Sequence, residues 1–236
     1  MMEPYAQFLL DFSARHPDTV HLNAPENRKA AVIVETRPHF FLPKVIRNVM
    51  FYLGPSWNLY VLTGAPAISY LRDALPDWYF PIDAITPGIS LPRWHYNALM
   101  MTKDFWEFFD EEKVLVFQTD SLLCGDNIND FLDYDLIGAP CGTFDENYYA
   151  NGGLSLRNRD LMIECIARAT PGQYEAEDVF FSNGVRALGG KMADVHTASR
   201  FSLESTYTAH PVGVHATDKF MHSDDVARTV VAGTRY

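Results

Sequence analysis

Two continuous apolar runs, each followed by apolar residues at helical spacing, restrict what this chain can fold into. Ala30-Ala31-Val32-Ile33-Val34 carries no polar interruption, the pattern of a strand covered on both faces. It ends in the polar stretch Glu35-Thr36-Arg37-Pro38. Leu42, Val45, Ile46, Val49, Met50 and Leu53 then recur at helical spacing, with Pro43 near the start and Gly54 as a stop. Trp57–Gly64 reads as a second strand, and Ile68, Leu71 and Leu75 as a second helical stripe before Pro76. Strand, helix, strand, helix in this order predicts right-handed βαβ units. The expected fold is α/β, with a mostly parallel central sheet flanked by helices.

The rest of the chain extends that pattern. A short helix is expected around Tyr5–Ala14, a strand at Ile82–Ile85, a helix over 93–109, and strands at Val114–Thr119 and Leu136–Pro140. Helices are expected at Asn158–Ala169 and Glu177–Leu188, the second stopped by Gly189-Gly190. Residues 191–236 read as short strands and loops. With no repeat or linker, one domain is expected over residues 30–220, with an N-terminal extension, 1–29, packed on it and a C-terminal tail, 221–236.

Bulk properties remove several classes of function. A formal net charge of −11 over 236 residues disfavours binding to nucleic-acid phosphate, so no nucleic-acid partner is expected. The three cysteines, 124, 141 and 165, form no CxxC pair. They read as buried apolar thiols rather than a disulfide framework or a structural zinc site. No apolar run reaches the length of a membrane span, and Met-Met-Glu-Pro-Tyr-Ala has no basic signal-peptide start. The expectation is a cytoplasmic protein without a transmembrane segment.

Candidate chemistry begins at Val114-Leu115-Val116-Phe117-Gln118-Thr119-Asp120-Ser121-Leu122-Leu123. A lone carboxylate between apolar segments is costly to bury unpaired, and ligands of open α/β sheets sit outside the carboxyl ends of the strands. Asp120 therefore reads as a metal or ligand residue, with a turn or helix cap as the alternative. Asn151-Gly152-Gly153-Leu154-Ser155-Leu156-Arg157 reads as close backbone approach to a ligand or unusual dihedrals, with an ordinary tight turn as the alternative. In Glu175-Ala176-Glu177-Asp178, acidic residues either complement a helix N-terminus or supply a general base. In His210-Pro211-Val212-Gly213-Val214-His215-Ala216-Thr217-Asp218-Lys219, a histidine is a metal ligand or a structural residue.

AAVIVETR, VLVFQTDSLL, NGGLSLR, EDVFF and HPVGVH, taken in that order over residues 30–219, resemble GT-A-fold nucleotide-sugar glycosyltransferases. More narrowly, the chain looks like a family of glycosyltransferases whose strand carries Phe-Gln-Thr-Asp. The resemblance implies transfer of a sugar from a nucleotide-diphosphate sugar donor to a carbohydrate or other hydroxyl acceptor, with inversion. It places Glu35, Thr36 and Arg37 near the base and ribose, Gln118 and Thr119 beside the nucleotide, and Asn151, Gly152 and Gly153 against donor sugar and acceptor. Asp120 and His215 would hold Mn²⁺ or Mg²⁺, Lys219 or Arg200 would contact phosphate, and Asp178 would be the base, with Glu177 as the second choice. One departure stands out: Gln118 occupies the first acidic position of Asp-x-Asp, which weakens metal affinity or removes the need for metal. The aromatic segment Trp94-His95-Tyr96-Asn97 is a candidate contributor to the donor site, with Trp94 itself expected in the core, and Trp78, Tyr79, Phe80 and Tyr148-Tyr149 are aromatic candidates for sugar stacking. Two rivals are a nucleotidyltransferase, against which ETRPHF lacks a glycine-rich phosphate loop, and a non-catalytic nucleotide-sugar or carbohydrate-binding module.

Overall fold

The structure is a computed structural model that describes residues 4–17, 19–143, 145–170, 176–205 and 207–220. Chain order runs α1 (Pro4–Arg15), β1 (Lys29–Glu35), α2 (Leu42–Leu53), β2 (Asn58–Gly64), α3 (Ala65–Ala74), β3 (Ile82–Thr86), α4 (Arg93–Met100), α5 (Lys103–Glu107), β4 (Lys113–Phe117) and β5 (Ser121–Leu123). After a 3₁₀ turn at Asn127–Phe131 follow β6 (Leu136–Cys141), β7 (Tyr149–Asn158), α6 (Arg159–Arg168), α7 (Glu177–Ala187), α8 (Val195–Phe201), β8 (Ser202–Leu203), β9 (Gly213–His215) and α9 (Thr217–Phe220).

The main sheet has strand order β3-β2-β1-β4-β7-β6. Strands β3, β2, β1 and β4 run parallel, and β7 lies antiparallel to both β4 and β6. Fully buried Ala30–Ile33 and Val114–Phe117 place β1 and β4 at the centre, as their unbroken apolar runs require. A second sheet, β5-β9-β8, stands beside the first. Strand β7 is the element that sequence periodicity missed. Leu154, Ser155, Leu156 and Arg157 alternate apolar and polar over only four residues after Gly152-Gly153, and both polar residues are fully buried, so the pattern was too short to mark a strand and points to no solvent face.

Three local expectations change. The helix over 93–109 is two helices, because the Thr102 side chain accepts from Phe105 N and starts α5 afresh. Trp94 is exposed, not in the core. Helix α4 turns only Met100 fully inward, and Trp106 of α5 fills the core position instead. Residues 195–201 form a helix, started by Asp194 accepting from Thr197 N. The N-terminal segment is part of the core: Phe8, Leu9 and Phe12 of α1 are buried, and the Tyr5 hydroxyl donates to Thr119 O and Ser121 O behind the Asp120 turn. Of the expected candidates, Glu175 and residues 221–236 lie outside the described residues.

Candidate functional site

The carboxyl ends of β1 and β4 open into one cleft of about 1000 Å³. Strand β4 stops at Phe117, and residues 118–121 make a turn closed by Ser121 N donating to Gln118 O and by Gln118 N donating to Ser121 Oγ. The turn projects Asp120 into the cleft, while β5 starts a new sheet behind it. On the β1 side, Glu35, Thr36 and Arg37 line the wall. Arg37 donates to both Glu35 oxygens, at 2.8 and 2.7 Å, and Thr36 Oγ1 donates to Ile89 O. Glu35 is therefore already paired. Burial works against its charge, and the Arg37 contacts outweigh it to hold the carboxyl below its ordinary value.

Gln118 and Thr119 also border the cleft. Gln118 is hydrogen-bonded to the Tyr96 hydroxyl from α4. Burial first, and the Glu177 charge next, push that phenol above its usual range.

Asn151, Gly152 and Gly153 line the cleft from β7, for a reason different from the expected one. Neither glycine has a positive φ, so no unusual dihedral is served. Each gives up its Cβ to a site side chain. A Cβ on Gly152 would lie 1.7 Å from Glu177 Oε1, and one on Gly153 would lie 2.0 Å from His215 Nε2. The glycine pair makes room for an acidic residue on one side and a histidine on the other.

Glu177 and Asp178 both reach the cleft from the first turn of α7, yet their settings differ. Glu177 accepts from Arg157 Nη1 at 2.7 Å, in a pair with side-chain exposures of 6% and 0%. Arg157 also donates to Ser155 Oγ and packs against the rings of Trp106 and Phe181. Its Nη2 has no hydrogen-bond partner among the described residues. Glu177 is committed to a fully buried guanidinium and so ties the first turn of α7 to β7. Asp178 accepts from Val179 N through one oxygen; its other oxygen makes no hydrogen bond to the described residues.

Asp120, His215 and Lys219 come together from the β4–β5 turn, β9 and α9. Lys219 Nζ lies 2.5 Å from Asp120 Oδ2, and His215 Nε2 lies 3.4 Å from Asp120 Oδ1. Burial opposes the Asp120 charge, but His215 and Lys219 hold it well below the ordinary carboxylate range. On the far side of the ring, Glu204 Oε1 is 3.3 Å from His215 Nδ1. Burial alone would lower the His215 pKa; the two carboxylates raise it above its ordinary value. Arg200, the alternative phosphate contact, does not line the cleft. Tyr96 and Asn97 of the expected aromatic segment line it, and so do Glu204, Arg93 and Cys141, which no local pattern announced. Their positions depend on helix ends and loop packing. Of the aromatic candidates, Trp78, Phe80 and Tyr148 are buried in the core, and Tyr148 donates to Ala193 O.

The residues fit a divalent cation as half a site. His215 Nε2 is buried without an aligned hydrogen bond. Its 3.4 Å separation from Asp120 Oδ1 is near the roughly 3 Å expected of two adjacent ligands with bonds of about 2.1 Å around an octahedral ion. Gln118 supplies no charge, and among the described residues no cluster of three His, Cys, Asp or Glu side chains is arranged as a complete metal site. Such half sites are completed by substrate phosphates.

A sequence-family profile described as "Protein of unknown function (DUF5672)" matches residues 88–215, just over half of the chain. No curated protein matches at the sequence level. Among solved structures, the galactosyltransferase LgtC, solved with donor and acceptor sugar analogs, aligns with TM-score 0.52 at 15% identity, covering 88% of this chain and 97% of its own. Mouse xyloside xylosyltransferase 1 aligns with TM-score 0.52 at 8% identity, covering 82% and 99%. The glycosyltransferase GlyE of Streptococcus pneumoniae aligns with TM-score 0.49 at 13% identity, covering 80% of this chain and 54% of its own. This chain thus spans about half the length of GlyE. At such identities the likeness establishes the fold: a mixed α/β single domain of GT-A type, with its central sheet flanked by helices. Among the described residues no helix is long and apolar enough to cross a membrane.

Proposed function

The chain belongs to the family described as Protein of unknown function (DUF5672), and on that footing we propose that it is a glycosyltransferase, moving a sugar from a nucleotide-diphosphate sugar to an acceptor hydroxyl. The observation that carries this reading is the sharing of one cleft by an uncommitted carboxylate, Asp178, and the group Asp120, His215 and Lys219. The first can take a proton, and the second can hold a diphosphate. On a GT-A fold the proteins of like structure are named for sugar transfer, which supports the assignment by analogy.

In the proposed reaction, Asp178 accepts the proton of the acceptor hydroxyl as that oxygen attacks the anomeric carbon with inversion. A hydroxyl is a weak nucleophile at neutral pH, and a positioned carboxylate base contributes typically about 10²- to 10⁴-fold. The bond from the anomeric carbon to the diphosphate breaks, and the leaving group departs carrying its negative charge. Lys219 gives that charge a point cation, and Arg37, whose own charge reaches Asp120, adds a second. Asp120 and His215 would hold Mn²⁺ or Mg²⁺, which when bound supplies Lewis-acid charge to the diphosphate. Thr36, Thr119 and Asn151 border the same space as neutral hydrogen-bonding groups for nucleotide and sugar.

The test is a transfer assay with a panel of nucleotide sugars, run beside thermal-shift titrations with nucleoside diphosphates in Mn²⁺, Mg²⁺ or EDTA. A saturating nucleotide at 100 times its Kd adds about 2.7 kcal/mol of stability. Asp178→Asn is expected to retain that shift and lose at least about 100-fold in transfer rate. Binding without transfer on any acceptor would reduce the protein to a binding module. No shift with any nucleotide would remove the assignment.

A further inference from the structure

Glu204 has no part in the transfer chemistry above, yet it is built into the same group. Strands β8 and β9 are parallel, with Leu203 paired to Val214. Glu204, one residue past β8's last pair, therefore comes level with His215. Its side chain is 7% exposed. Glu204 Oε1 accepts from Asn151 Nδ2 at 3.0 Å and lies 3.3 Å from His215 Nδ1. The imidazole is thus enclosed by Glu204 at Nδ1, by Asp120 at Nε2, and by the bare α-carbon of Gly153. Neither ring nitrogen has an aligned hydrogen bond.

The two carboxylates differ in how far they are committed elsewhere. Asp120 is 28% exposed and pairs with Lys219, whereas the buried Glu204 accepts from the neutral amide of Asn151. Among the described residues Glu204 makes no ion pair with Lys or Arg, so its oxygen is the one left to take a hydrogen bond from the ring. We propose that Glu204 is a positioning residue for His215: it holds the imidazole as the Nδ1–H tautomer, so that the Nε2 lone pair faces Asp120 and the diphosphate side of the cleft. This rests on the reading of Asp120 and His215 as the diphosphate and cation end of the site. Carboxylates that orient a ligating histidine through its other nitrogen typically alter metal affinity by about 10- to 100-fold when removed.

The experiment uses Glu204→Met, which keeps the volume and removes the acceptor, and Glu204→Gln, which keeps a carbonyl acceptor at the same reach. The ring nitrogens of His215 are read by ¹⁵N NMR at a pH above its raised pKa, assigned against His215→Gln. Each protein is then titrated with Mn²⁺ alone and with Mn²⁺ plus UDP, GDP or ADP. Glu204→Met is expected to move the ring toward the Nε2–H tautomer and to weaken Mn²⁺ by about 10- to 100-fold. Glu204→Gln should keep the wild-type tautomer and recover part of the affinity. If Glu204→Met does not fold, Glu204→Ala takes its place. Unchanged His215 signals in the folded Met or Ala variant would overturn the proposal. A tautomer shifted in Glu204→Met, with a wild type that binds neither nucleotide nor Mn²⁺, would keep Glu204's role and remove the transferase reading instead.

Discussion

Removing Glu177 tests how the base-bearing end of α7 is held. Arg157 is fully buried, one of its terminal nitrogens already lacks a partner, and Glu177 is its acidic contact at 2.7 Å. Glu177→Ala leaves a buried guanidinium against Trp106 and Phe181 whose remaining acceptor among the described residues is Ser155 Oγ. Breaking a buried pair by deleting one partner costs about 3–5 kcal/mol. At about 2–4 °C per kcal/mol for a domain of this size, the melting temperature should fall by roughly 6–20 °C. Replacing both partners, as Arg157→Met with Glu177→Leu, removes the stranded charge, and most of the loss should return, because apolar substitutes of similar volume are often neutral or stabilising. Urea unfolding of wild type, both single variants and the double variant supplies the cycle. A Glu177→Ala melt within 2 °C of wild type, or a double variant no better than the sum of the singles, would show that Arg157 is satisfied without Glu177 and refute the anchor.

Three further outcomes follow from the same geometry. Gly153→Ala places a Cβ 2.0 Å from His215 Nε2, so it should displace the ring and weaken Mn²⁺-dependent nucleotide binding at least about tenfold, read by titration; unchanged binding would mean the ring has room elsewhere. The raised His215 pKa makes its contribution to stability full below its unfolded value, about 6.5, and lost as pH rises through the raised folded value. The stability gap between wild type and His215→Gln in urea should therefore shrink as pH rises above about 6.5; a constant gap contradicts the charge arrangement. Lys219→Met frees Asp120 Oδ2, so Mn²⁺ should bind the nucleotide-free protein more tightly while nucleoside diphosphates bind more weakly; both affinities moving the same way would place Lys219 outside the phosphate site.

How much of this was legible along the chain follows from how each feature is encoded. Strands β1 and β2 and helices α2 and α3 were readable because burial on both faces, or on one stripe, writes a period that neighbouring residues repeat. The strand β4 and the acidic residue beyond it were readable for the same reason, and the Asn-Gly-Gly and Glu-Asp segments could be named as candidates. Their meaning could not. Gly152 and Gly153 read as close approach to a ligand or unusual dihedrals; the dihedrals are ordinary, and the pair clears space for Glu177 and His215, side chains 25 and 62 residues away along the chain. Glu177 and Asp178 are adjacent and chemically alike, and only the arrival of Arg157 from β7 separates an anchor from a candidate base. Glu204 carried no local signal, because its place beside His215 comes from the pairing of β8 with β9. Periodicity records which way each residue faces within its own element. Which charges meet is a property of how distant elements pack, and at this cleft that pairing sets what each carboxylate does.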